Sequence, residues 1–209
     1  MRALAVLLAL TSLSGCSGPL IDMFPESGTG TASVTGLEDP LERVVRVSTA
    51  DYFRQGGLLP DRPEPSLFAV IAKGDPAAPG VRLDTLDFLD SASGPAVSYQ
   101  IVVSAYANEW RFWDRVRYVS GGGELIQRSA DRIASDVSCS SGAECLHLEV
   151  ISAPVPRVDL EALASSDTVT VRLANPSIHA DALLTGAEVR AFLDAVDRSR
   201  AALQSAGSE

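Results

Sequence analysis

Cys139 and Cys145 enclose only Ser-Ser-Gly-Ala-Glu, and this short loop restricts its surroundings more tightly than any other stretch of the 209-residue chain. Gly142 and two serines let the backbone reverse, so the two Cα atoms can approach within the ~6 Å that a disulfide needs. The pair reads as a structural bridge pinning a β-hairpin. A redox pair would carry Cys-x-x-Cys at a helix start, and zinc would need further ligands, for which the chain offers only His147 and His179. Closing so short a loop stabilises by about 2 kcal/mol in the chain-entropy treatment. Beyond it, Leu146, Leu148 and Val150 alternate with His147, Glu149 and Ile151. That alternation predicts a strand over residues 145–152 with one buried and one wetter face.

Other runs follow the same logic. Residues 41–48, 67–72, 97–106 and 168–173 read as strands, and residues 124–133 as a return strand after the turn at Gly121, Gly122 and Gly123. Pro154 and Pro156 end the strand after the cysteine loop, and Asp159 is read as the cap of a short helix through Leu160 and Leu163. Thr49 is read as the cap of another short helix ending at Gly56 and Gly57, and His179 as part of a loop between strand and helix. Thr185-Gly-Ala-Glu188 matches a capping box, and Val189, Phe192, Leu193 and Val196 follow at helical spacing. Strands in succession closed by an amphipathic helix predict an α+β domain: a mostly antiparallel sheet with the C-terminal helix packed on it.

Composition narrows the function classes. With 46% hydrophobic and 21% charged residues the chain is an ordinary globular protein, neither disordered nor built of repeated 20-residue apolar spans. Its 27 acidic against 17 basic residues give a net charge of −10, which speaks against nucleic acid as a partner, because phosphate binding needs a dense cationic surface.

The first 16 residues carry an address. Met1 and Arg2 precede an apolar run over residues 3–10, too short to span a bilayer, and small residues follow. Leu13-Ser14-Gly15-Cys16 resembles the lipobox of bacterial lipoprotein precursors. The resemblance implies a diacylglyceryl group on Cys16, cleavage before it, and a cell-envelope location facing the periplasm, anchored firmly once two or three acyl chains are present. Ser17 stands where an Asp would resemble the inner-membrane retention signal, which favours the outer membrane. Residues 1–15 are then signal peptide, residues 16–40, rich in Gly, Ser and Thr, a flexible tether, and residues 41–205 one domain. The membrane, reached through the lipid on Cys16, becomes a partner.

Chemistry is sparse. Gly-x-Ser-x-Gly, Ser-x-x-Lys, Gly-x-Gly-x-x-Gly, phosphate-loop and His-Glu-x-x-His strings are absent. His147 and Glu149 share a strand face and, with His179, are the candidates for an envelope-polymer hydrolase, but no third metal ligand is placed by spacing. Asp84, Asp87 and Asp90 lack calcium-loop spacing. Neither a catalytic residue, nor a metal, nor a cofactor is assigned. The richest segment is Trp110-Arg-Phe-Trp-Asp-Arg-Val-Arg-Tyr118. As a strand it sets Arg111, Trp113, Arg115 and Arg117 on one face, a basic stripe able to hold an envelope protein, an anionic glycan or a lipid head group, or to pair with the protein's own acids. As a helix it would group Phe112, Trp113, Val116 and Val119 and scatter the arginines. The reading favoured is a non-catalytic accessory or binding module of the envelope.

Overall fold

The computed structural model describes residues 32–39, 42–49, 63–76, 89–91, 94–119, 123–139 and 145–206. Cys16, the signal segment, the helix predicted after Thr49, Asp84 and Asp87 lie outside them. In chain order the described elements are β1 (Ser33–Thr35), β2 (Val44–Ser48), β3 (Glu64–Ala72), β4 (Val97–Ala107), β5 (Arg115–Val119), β6 (Leu125–Ser129), β7 (Asp131–Cys139), β8 (Cys145–Pro154), α1 (Arg157–Ala164), β9 (Thr168–Ala174), β10 (His179–Thr185) and α2 (Gly186–Ala206).

The strands form two antiparallel sheets, where one had been expected. Sheet A has the order β1-β2-β3-β4-β8-β7 and sheet B the order β10-β9-β5-β6. Alternate residues explain the shared core. Val45, Val47, Leu67, Ala69, Ile71, Tyr99, Ile101, Val103 and Ile151 from sheet A meet Val116, Tyr118, Val171, Leu173 and Leu184 from sheet B. Leu160 and Leu163 of α1 and Val189, Phe192, Leu193 and Val196 of α2 belong to the same cluster. Burying such side chains contributes roughly 1.5–3 kcal/mol each, which makes this cluster the main source of stability.

The α2 start is the capping box the sequence predicts. Glu188 N donates to Thr185 Oγ1 at 3.2 Å, and Thr185 N donates to Glu188 Oε2 at 2.7 Å. Gly186 opens α2 because only a residue without Cβ fits there. An added Cβ would lie 1.9 Å from the Ser166 carbonyl oxygen and 2.8 Å from that of Ala164. Arg190 donates to the same Ala164 carbonyl, tying the end of α1 to α2. Arg157 reinforces the join: it reaches Asp197 by two hydrogen bonds of 2.6 and 2.8 Å and Glu161 at 2.7 Å, and donates to Tyr99 Oη at 3.2 Å.

Several expectations are corrected. Residues 124–133 are two strands, because the chain passes from sheet B to sheet A at Ala130, whose N–H donates to the Asp114 carbonyl at 2.9 Å. β1 lies inside the segment read as tether and pairs with β2. His179 begins β10, opposite Ala174, instead of sitting in a loop. Pro156 is the N-cap of α1 and makes no side-chain cap bond, while Asp159 sits in the first turn. There Asp159 accepts from Tyr118 Oη at 2.6 Å and from Arg128 at 3.2 Å, and burial together with the bond to Asp159 pushes the Tyr118 phenol well above its ordinary range. Nor is either face of β8 wet along its length: Leu148 and Val150 pack with Val102 on one side, and Glu149 and Ile151 are buried on the other.

Candidate functional site

The predicted hairpin is present, with β7 and β8 paired from Asp131 and Ser152 down to Cys139 and Cys145, which are joined by a disulfide with Cα atoms 4.2 Å apart. Its inner face carries Glu149, and Glu149 organises the nearby turn. The residue is 2% exposed. Its Oε1 accepts the backbone N–H of Arg111 at 2.6 Å and that of Phe112 at 3.1 Å. Two successive amides turned on one carboxylate form an anion nest, and a nest needs one left-handed residue. Phe112 supplies it, with φ of 53°, a conformation costly for a bulky side chain. Asn175, between β9 and β10, adds a third tie by donating its side-chain amide to the Arg111 carbonyl at 2.5 Å.

This turn breaks the predicted stripe. With Phe112 left-handed, the strand begins only at Arg115, and the face alternation expected over 110–119 is lost across the turn. Trp113, expected on the basic face, is 8% exposed and belongs to the core, whereas its neighbour Phe112 is 61% exposed. Arg111 pairs with Glu109 at 2.7 Å and Arg115 with Asp114 at 2.8 Å, while Arg117 donates to Gln127 at 2.8 Å. Arg115 and Arg117 do share the outer face of sheet B, where Arg117 stands opposite Arg172, itself bound to Asp181 by two bonds of 2.6 and 2.7 Å. Each of the three stripe arginines therefore has a partner within the protein.

A residue that sequence reasoning passed over completes the group. The Arg132 guanidinium lies 5.5 Å from the Trp110 ring centroid and 5.3 Å from that of Phe112, within cation–π range, and its NH1 is 3.7 Å from Glu149 Oε2. At that separation Arg132 offsets the buried charge without a hydrogen bond, and Glu149 Oε2 has none. The His147 ring meets Trp110 edge-on at 4.7 Å, with its Nδ1 buried and unpartnered. The only advance signal was parity in β8, where His147 and Glu149 stand among apolar residues; β7, with Asp131, Ser135, Asp136 and Ser138 beside Arg132, gave none.

The hydrolase candidates divide between the two sheets. His147 and Glu149 lie on the inner face of sheet A, Glu149 already engaged by two amides, and His179 is exposed on sheet B. Among the described residues no group of three His, Cys, Asp or Glu side chains is placed to hold a metal ion, and no helix is long and apolar enough to cross a membrane. What the geometry offers is a braced surface of aromatic rings and a guanidinium beside a sheet edge. Comparison with protein-family models, with characterised proteins and with solved structures returns no match for this chain.

Proposed function

We propose that this chain is a lipid-anchored protein of the bacterial cell envelope, an α+β body with α2 packed on its sheets, acting as a non-catalytic accessory or binding module for another envelope component. Its lipid sits on Cys16 and its body faces the periplasm, with the outer membrane favoured. The observation that carries the binding role is Phe112, a large apolar side chain held in solvent by a strained backbone that a buried carboxylate braces. Such strain persists only where the surroundings enforce it, and it concentrates at sites of recognition. The Cys139–Cys145 disulfide fits an oxidising compartment such as the periplasm.

Fractionation of cells producing the intact precursor and its Cys16→Ser variant tests the anchor. The wild-type protein is expected in the membrane fraction and the variant in the soluble periplasmic fraction; a variant that stays with the membrane rules the anchor out. For the binding role, envelopes cross-linked before solubilisation should yield the same defined partner with wild type and lose it with Phe112→Ala.

A further inference from the structure

Strand β7 is an edge. It pairs with β8 on one side and with no described strand on the other, and all of its residues but Ala134 are exposed. An edge of this kind presents a row of main-chain donors and acceptors, and natural sheets protect such rows with proline, lysine, bulges or short strands. Here a bulge protects one end, and in the middle Asp136 shields a single donor, its Oδ1 accepting the Val137 N–H at 2.7 Å. The register is shifted between Arg132 and Ala134, a bulge that leaves Ile133 without a partner in β8. From Ala134 to Cys139 the pairing with β8 runs unbroken, without Pro, Gly or Lys and with Asp136 as its one charge. The disulfide closes the end of this stretch.

What lies beside the edge is unusual as well. Ser135 and Val137 pair with Glu149 and His147, so they point to the inner face, the side on which Arg132 meets Trp110 and Phe112. Along that lip, Phe112 is 61% exposed, Ile133 48% and Val137 42%. These are three of the eight large hydrophobic side chains that are exposed among the described residues, and two of them are set by backbone irregularities, the left-handed turn and the bulge. Irregularities that aim apolar groups at the flank of an open edge are a way to read side chains of an added strand.

We infer that residues 134–139 of β7 bind an extended peptide segment of a partner protein by strand addition, with alternate apolar side chains of the peptide on the Phe112, Ile133 and Val137 lip and an acidic one on Arg132. The proposal rests on reading the chain as a binding module and names the class of partner. Main-chain hydrogen bonds select an extended backbone, because no other biopolymer repeats donors and acceptors at the strand spacing. The acid follows from charge: among the described residues the one acid against the Arg132 guanidinium is Glu149, whose Oε2 is 3.7 Å away, and a carboxylate could form the hydrogen bonds which that distance does not allow.

The test uses the full-length lipidated chain in detergent micelles and a panel of seven-residue peptides that alternate Val and Thr, with one Asp moved through the positions. At least one member should bind and slow amide exchange within residues 134–139. N-methylation of alternate residues of that peptide, which keeps its side chains and removes main-chain donors, should weaken binding at least tenfold. Replacing its Asp with Asn should weaken it about threefold to tenfold. The double variant Ile133→Lys, Val137→Lys, both sites being exposed, should fold normally and lose the peptide. The proposal is overturned if no peptide binds, if the N-methylated form binds equally, or if exchange slows on other strands. It is likewise overturned if β7 amides are protected without peptide in a concentration-dependent dimer, since the occupant is then a second copy. Loss of binding here alongside cross-linking to an envelope partner through another surface would remove the strand-addition proposal and leave the binding-module reading standing.

Discussion

Glu149 Oε1 accepts the Phe112 amide at 3.1 Å, so a carboxylate 37 residues further along the chain sets the backbone of an exposed aromatic. The charge is buried and its neutralisation is thin: two amides on one oxygen, and Arg132 NH1 3.7 Å from the other. Removing one partner of such an arrangement costs more than forming it returns, because the remaining donors stay buried and unpaired.

Glu149→Ala is accordingly expected to destabilise by about 3–5 kcal/mol. Glu149→Gln keeps one acceptor oxygen for the amides, and its loss should be smaller, about 1–3 kcal/mol. Urea denaturation of both variants checks the order. Equal, near-zero losses would mean the turn holds without the carboxylate.

Reducing the bridge, or replacing Cys139 and Cys145 with Ser, should lower stability by about 2 kcal/mol, the amount expected from opening so short a loop. The effect is readable as a shift in denaturation midpoint with an unchanged slope. A much larger loss would show that the hairpin end is packed, and not only closed.

Gly186→Ala places a methyl group against the Ser166 and Ala164 carbonyls. A glycine-to-alanine change at a helix start would ordinarily be neutral or mildly stabilising, since Ala is the better helix former. Here overpacking against backbone decides the sign, and a loss of about 1–3 kcal/mol is expected. Thermal unfolding of the variant, followed by circular dichroism, distinguishes the two outcomes.

Acid should weaken the join between the helices. The Arg157 hydrogen bond holds the Asp197 carboxyl below its ordinary value of 3.8, and Asp197 in turn raises the Arg157 guanidinium. A folded pKa below the unfolded one contributes stability that is complete above about pH 4 and is lost as pH falls through the lowered folded value. Asp181, lowered by Arg172, acts in the same direction. The Asp197→Asn variant should therefore be less stable than wild type at pH 7, with the gap closing as pH drops below about 4. A gap that persists unchanged to pH 2 would place its cause in packing.

Local rules carried the sequence reading where local rules decide. Val169, Val171 and Leu173 alternate into the core, and Thr185 and Glu188 cap α2 as their spacing requires. The cysteine spacing likewise pointed to the hairpin. The same parity showed that His147, Glu149 and Ile151 share a face, yet parity does not tell whether a second sheet covers that face. The 110–112 turn was not legible because the group that imposes it lies on β8, far away in sequence. With one left-handed residue, the alternation predicted across it fails, and Trp113 moves from the surface to the core. The passage at Ala130 was invisible for a related reason, since a chain may change sheets without any break in strand-like composition.

The strand order of sheet A has a mechanical consequence. β1, where the described chain enters the sheet, and β7 are its two opposite edges, separated by five inter-strand spacings, about 24 Å at ~4.8 Å each. Tension applied between the two edges acts along the inter-strand hydrogen bonds, ladder after ladder in series. The load is the same in each ladder, so the shortest one yields first. That ladder is the three-residue β1 against β2. Under such a pull β1 would peel away while β2, β3, β4, β8 and β7 keep their pairing, lengthening the molecule without unfolding its core.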